Sequence, residues 1–346
     1  MRQYKGLIAT IKKISFDKKQ IAIMKHISIY VPKGHYSMVN IEGAYQMFNW
    51  VNSYYQQLGK TPLFDVELVG IEQTSTQTNG LFSIKPQRLI KDVEHTHLII
   101  IPAIHGDLEA NLKTNAELLP WLINHYNKGT ELVSFCIGTF YLAASGLLNG
   151  KPCSTHWQYA NEFRAMFPEV LLMDDKIITE SNGIYTSGGA YSFTNLMVYL
   201  IEKYAGRETA IMASKGFMID IDRESQSPFM MFKGQKAHED LEILEAQNYI
   251  EKHFNTKITV DALCEKCNLA RRTFERRFKK ATSNTILEYI QRVKIEAAKK
   301  ALEHGRKTVN EVMYDVGYND TKSFRDVFKK VTDMTPVDYR NKFLSA

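Results

Sequence analysis

The sequence predicts an α/β doubly wound domain with a mostly parallel sheet, followed by an all-α domain holding two helix-turn-helix units. Three observations lead to this. Short apolar runs alternate with helical stretches as far as about residue 203, that rhythm breaks near residue 220, and the last third carries an internal repeat with no strand pattern.

Length and composition set the frame. A chain of 346 residues exceeds what one hydrophobic core usually serves, and its 44% hydrophobic and 24% charged content is ordinary for globular proteins. No run approaches the ~18 apolar residues of a membrane span, and residues 1–24 scatter Lys and Asp where a signal peptide would have an apolar core. A cytoplasmic chain that avoids membranes is expected. Cys136, Cys153, Cys264 and Cys267 are too few and too unevenly spaced for a disulfide framework. The Cys264-x-x-Cys267 pair has no second ligand pair after it and reads as core packing, so neither a metal nor a cofactor is expected.

Taken in order, residues 1–23 form an N-terminal extension that the pattern does not assign, and the α/β domain is expected over 24–219. Runs 26–31, 64–69, 97–101 and 131–135 read as strands, the third fully buried, while 44–58 and 117–128 read as helices. Strands alternating with helices at this spacing call for a parallel sheet covered on both faces. The run 131–148 passes from a buried strand into a helix, with Cys136 at the bend and Gly138 letting the helix start close to the strand. A thiol facing a helix N-terminus is expected to favour thiolate. Residues 220–239, with Ser225-Gln-Ser-Pro228 and Gly234, form the linker, and 240–346 form the helical domain.

The repeat organises that last domain. Thr259-Val-Asp-Ala-Leu263 and Phe274-Glu-Arg-Arg-Phe-Lys-Lys-Ala-Thr282 return as Thr308-Val-Asn-Glu-Val312 and Phe324-Arg-Asp-Val-Phe-Lys-Lys-Val-Thr332, with one extra turn residue in the second copy. Each copy opens on a Thr cap. Thr308 with Glu311, and Thr285 with Glu288 on the helix between the copies, have capping-box spacing. Each first helix breaks at a residue tolerant of positive φ, Asn268 or Gly317, before a second helix from about residue 270 or 321.

The second helices separate into faces. Phe274 and Phe278, like Phe324, Val327 and Phe328, must point inward. That turns Arg272, Arg276 and Lys279 outward in the first copy, flanked by Arg271 and Glu275, and Thr321, Lys322, Asp326 and Lys329 in the second, flanked by Arg325. Arg can read guanine bidentately and a carboxylate can accept from cytosine, so these faces hold the chemistry of base readout as well as phosphate attraction. Residues 240–346 hold 21 Lys and Arg against 16 Asp and Glu, so the basic character of the chain is concentrated there.

This region resembles the AraC/XylS-family DNA-binding domain, carried by the repeat, by Val316-Gly-Tyr-Asn-Asp-Thr-Lys-Ser-Phe-Arg-Asp-Val-Phe-Lys-Lys330 and by Thr335-Pro-Val-Asp-Tyr-Arg340. The resemblance implies seven helices and double-stranded DNA as partner, with RNA polymerase a further candidate. The segment 25–222 resembles the PfpI-like branch of the class I glutamine amidotransferase-like superfamily, in the form fused to an AraC-type domain. It does so in the bend at Cys136, the Leu142-Ala-Ala-Ser-Gly-Leu-Leu148 helix, Thr155-His156-Trp157 and Gly188-Gly189. Members of that superfamily carry an acid just after the first strand, where this chain has Asn40, with Glu42 two residues on; Asn cannot relay a proton. Cys136 and His156 therefore admit three readings, in this order: residues of an effector pocket with Asn40, Glu42 and Ile137, a redox-sensing thiol, or a residual cysteine hydrolase or amidase. The expected molecule is a regulator of transcription and not an enzyme, controlled by a small-molecule effector and paired as a homodimer through its α/β domain.

Overall fold

The computed structural model describes residues 24–77, 80–221, 223–236 and 238–344, so the extension expected over 1–23 lies outside the described residues. The strands are β1 (Lys25–Val31), β2 (Phe64–Gly70), β3 (Ser75–Gln77), β4 (Phe82–Ile84), β5 (Arg88–Leu89), β6 (Leu98–Ile101), β7 (Glu131–Ser134), β8 (Pro152–Cys153), β9 (Leu171–Leu172), β10 (Ile178–Ser181) and β11 (Ile184–Ser187). Seven of them form one sheet in the order β10-β11-β7-β6-β1-β2-β5, parallel except where β10 pairs antiparallel with β11.

Both sheet faces are covered. On this domain the helices are α1 (Met38–Gln57), α2 (Leu108–Thr114), α3 (Leu118–Asn127), α4 (Thr139–Ala144), α5 (Ala160–Met166), α6 (Phe193–Ala205) and α7 (Arg207–Phe217). Successive strand residues point to opposite faces. Thus Leu98 and Ile100 of β6 join Ile27 and Ile29 beneath α1 and α6, whereas Ile99 and Ile101 join Leu118, Leu122, Phe140 and Tyr141 on the other side. A strand buried on both faces has no polar alternation, which is why 97–101 reads as continuously apolar.

The expected strands and helices are present, with differences at their ends. α1 starts at Met38, well before the expected 44, because Ile41 already lies on the buried stripe continued by Ala44, Phe48 and Val51. The helix expected to run to Leu148 ends at Ala144, where the chain turns through Gly146 at φ +76°. α2, α5, α6, α7 and the β10–β11 hairpin lie outside the elements expected from the sequence.

The last domain is helical throughout: α8 (Leu241–His253), α9 (Val260–Lys266), α10 (Arg271–Thr282), α11 (Ile286–Glu303), α12 (Val309–Asp315), α13 (Thr321–Thr332) and α14 (Pro336–Phe343). Thr259, Thr285, Thr308 and Thr335 all cap helices, and the boxes Thr285/Glu288 and Thr308/Glu311 are both closed. Asn268 and Gly317 take φ +50° and +75° at the two turns. The repeat builds two separate small cores, Phe274 and Phe278 in one and Phe324 and Phe328 in the other, with Val327 packed against the second. α11 contributes Ile286, Tyr289 and Ile290 to the first and Ile295, Ala298 and Leu302 to the second.

The segment between the domains packs at several points. Lys176 forms an antiparallel bridge with Ser225, a single 3-10 turn spans Ser227–Phe229, and Phe232 stacks edge-on against Tyr289 of α11 at 5.0 Å. No helix among the described residues is long and apolar enough to cross a membrane.

Candidate functional site

β7 delivers Cys136. The strand ends at Ser134, and Cys136 then takes φ +54°, a strained left-handed conformation, before α4 begins. The turn is over-determined by hydrogen bonds: its N–H donates to Ser187 Oγ at 3.3 Å, and its carbonyl accepts from Thr139 and Thr155 hydroxyls at 3.0 Å each.

The thiol lines a cavity of about 280 Å³ at the carboxyl ends of β1, β6 and β7. Open α/β sheets place ligands at such an edge, and β1, flanked by β6 and β2, is where the strand order reverses. Asn40, Ile137 and His156 share the cavity with Cys136. Asn40 is pinned by accepting from the Ala103 N–H at 3.0 Å. Glu42 is a correction to the expected site. It is exposed on α1 and outside the cavity, because residues two apart on a helix lie about 200° apart and Asn40 already faces in. Ser37, His105, Tyr159 and Tyr191, from short connections that carry no periodic signal, also line it, with Phe193 at the start of α6.

Among the described residues, the cavity wall contains no Asp, Glu, Lys or Arg. Burial pushes the Cys136 thiol up to about 11, against the smaller opposing pull of hydrogen bonds from the Ala190 and Ile137 backbone. The expected thiolate is therefore corrected to a neutral thiol: desolvation outweighs the helix end. Burial also lowers the pKa of His156, and its Nδ1 accepts from the Gln158 N–H at 3.1 Å, so the neutral ring carries its proton on Nε2. At about pH 8, Cys136 should alkylate with iodoacetamide far more slowly than an unfolded-peptide thiol, its rate rising about tenfold per pH unit toward 11. A rate already flat above pH 8, measured by mass spectrometry, would mean a thiolate.

The second candidate site is the pair of helices α10 and α13. Arg272, Arg276, Lys279 and Lys280 on the first, and Lys322, Arg325, Asp326, Lys329 and Lys330 on the second, are exposed. Among the described residues none of them forms an ion pair, whereas other cations of the cluster do. Arg271 bonds Asp261 at 3.1 Å and Glu275 at 3.0 Å, so the Glu275 carboxylate meets its own helix instead of standing free. Arg277 spans to Asp240 at 2.6 Å and Glu242 at 2.7 Å, tying α10 to α8 and holding the Asp240 carboxyl below its usual range. Thr321 is the first residue of α13, half-exposed, and the cap before it is Asp320, which accepts from the Ser323 N–H at 2.6 Å.

Cys264 and Cys267 are buried in the first small core, with Cys267 Sγ donating to the Glu242 carbonyl at 3.4 Å.

Two family models match parts of this chain. Residues 55–203 match the DJ-1/PfpI family, and residues 263–342 match a helix-turn-helix domain family. The HTH-type transcriptional regulator GbdR of Pseudomonas aeruginosa is 26% identical over 236 residues, covering 68% of this chain and 64% of that protein. The chain thus spans less than two thirds of the length of that relative. The bifunctional transcriptional activator/DNA repair enzyme AdaA of Bacillus subtilis is 37% identical over 92 residues, 27% of this chain and 44% of its own. A solved structure from Vibrio parahaemolyticus, described as a transcriptional regulator, superposes with TM-score 0.51 at 23% identity over 56% of this chain and 98% of that one, a likeness of fold. This chain joins a DJ-1/PfpI-family domain to a C-terminal helix-turn-helix domain of the AraC type.

Proposed function

We propose that the chain is a sequence-specific DNA-binding regulator of transcription whose α/β domain senses a small-molecule effector. One observation carries the reading: two helix-turn-helix units present outward faces whose cations, among the described residues, are free of ion pairs, while on the first reading helix Arg271 and Arg277 are consumed by internal bridges. Arg276 and Lys322 lie opposite the inward Phe positions and are assigned to base edges; Lys279 and Lys329, further along their helices, are assigned to phosphates. Arg272, Arg325 and Asp326 flank the reading faces, while Arg271, Glu275 and Thr321 orient them. The division is assigned as 24–219 for the sensor, 220–239 for the linker and 240–346 for the reader.

The α/β cavity supports effector binding over catalysis. The thiol is neutral, and the basic Nδ1 of His156 is taken up by the Gln158 N–H and faces no carboxylate among the described lining residues, so hydrolase and thiol-sensor readings rank below a pocket formed by Asn40, Cys136, Ile137 and His156. Dimerisation through the α/β domain would raise the effective concentration on paired sites, and RNA polymerase is the expected contact of an activator.

The experiment is affinity measurement of the full chain on an operator selected from random DNA and on its single-base variants. Arg276→Ala and Lys322→Ala should each cost about 1–3 kcal/mol and relax preference at different base pairs, whereas Lys279→Ala should weaken all variants alike and lower the salt slope by about one. Uniform losses in both of the first two variants would reassign Arg276 and Lys322 to phosphates. A wild-type chain without preference among sequences would remove the regulator reading.

A further inference from the structure

The loop of Gly188 and Gly189 beside the pocket is held by one side chain of the segment that leads into the helical domain. Gln226 is only 2% exposed. Its Oε1 accepts from the Gly189 N–H at 3.0 Å, and its Nε2 donates to the carbonyls of Thr155 at 3.0 Å and Asp174 at 2.7 Å, with that of Lys176 at 3.3 Å sharing a hydrogen.

The loop has no slack on either side. A Cβ at Gly188 would stand 3.0 Å from the Gln226 amide, and one at Gly189 would press into the His156 ring, 2.7 Å from Cδ2. Beyond Gly189 the loop belongs to the pocket: the Ala190 N–H meets the Cys136 sulfur, and Tyr191 stands at the mouth, 66% exposed. Beyond Gln226 the chain belongs to the reader. Phe229 packs against Phe343 of α14 at 5.6 Å, the Met230 carbonyl accepts from Lys299, and the Phe232 N–H donates to Glu296 at 3.1 Å. Lys299 and Glu296 both sit on α11, the helix that serves both helix-turn-helix units.

We propose that Gln226 is the positioning residue that couples occupancy of the Cys136 pocket to the setting of the DNA-reading helices. The inference rests on the regulator reading above. A molecule that moves His156 or Tyr191 must move Gly189, because the gap between His156 and Gln226 is filled. Gln226 then follows, since leaving it behind would strand its buried Oε1 and the Gly189 N–H without partners. Its displacement passes along residues 227–232 to α11.

The test is a double-mutant cycle on the full chain, read as affinity for the selected operator and for unrelated DNA. Gly189→Ala, at a φ any residue can adopt (−68°), places a methyl against His156 and acts as a wedge on the pocket side. It should change operator affinity by about fivefold or more, with unrelated DNA unaffected, and that change should shrink to within about twofold in a Gln226→Ala background. An equal change in both backgrounds, or none in either, would overturn the coupling while leaving the regulator reading intact. Wild-type protein that binds no DNA would instead remove both. If Gly189→Ala does not fold, amide hydrogen exchange decides on Gln226→Ala alone. The Gly189 and Phe232 amides should lose protection together, by about tenfold or more; a Phe232 amide that keeps its protection would sink the proposal.

Discussion

Phe278→Ala is expected to unfold the first helix-turn-helix unit and abolish operator binding while leaving the α/β domain folded. The ring is fully buried, 5.8 Å from Phe274 and 5.4 Å from Tyr289, so truncation removes its transfer free energy and leaves a cavity that two other large rings cannot fill. Such a change costs about 3–5 kcal/mol, a large fraction of the stability of a small domain. The distribution of fluorophores makes the outcome easy to resolve. All three tryptophans, Trp50, Trp121 and Trp157, belong to the α/β domain. The helical signal in far-UV circular dichroism should therefore drop at lower denaturant, while the main tryptophan fluorescence transition should stay where it is. Coincident movement of both transitions would show that the two domains unfold as one unit.

Gly138→Ala is expected to do the reverse, destabilising the α/β domain first. A Cβ there would be driven into the Pro102 carbonyl oxygen and lie 3.0 Å from that of Ile101. Both obstacles are backbone, in or next to the buried central strand β6, and cannot swing aside. Relief requires α4 to move off the sheet at a cost of about 1–3 kcal/mol or more, and Cys136 moves with it. The tryptophan transition should shift to lower denaturant and the Cys136 thiol should alkylate faster. An unchanged alkylation rate would show that the bend tolerates the methyl without opening the cavity.

Much of this architecture was legible because it rests on short-range rules. The Phe274/Phe278 and Phe324/Phe328 spacings point one way round a helix whatever the neighbours, and Thr-x-x-Glu spacing marks a helix start by local hydrogen bonding alone. The β10–β11 hairpin also carries a local signal, Asn182-Gly183 at φ +51° and +75°. What the sequence could not show depends on distant surroundings. The Cys136 bend is evident in the sequence, but its neutral thiol comes from burial beneath the loops after β6 and β11, where His105 and Ala190 lie 31 and 54 positions away and are unreadable from the local run. Arg277 looked like its five cationic neighbours until Asp240, thirty-seven positions upstream, was found beside it. Glu42 was misplaced for a simpler reason, since two residues adjacent in a motif need not share a helix face.

The single helix α11 has a consequence for the DNA itself. It runs unbroken for 18 residues and feeds both small cores, so the two reading helices are mounted on one rod about 27 Å long. A promoter recognised by such a rod has a fixed spacer. Inserting one base pair between half-sites turns the far one by about 34° around the axis, and the unbroken helix that joins the two units would have to bend to follow it. Drift in the bases of either half-site would erode affinity gradually, whereas a one-base-pair insertion or deletion between them would disconnect the gene from its regulator in one step.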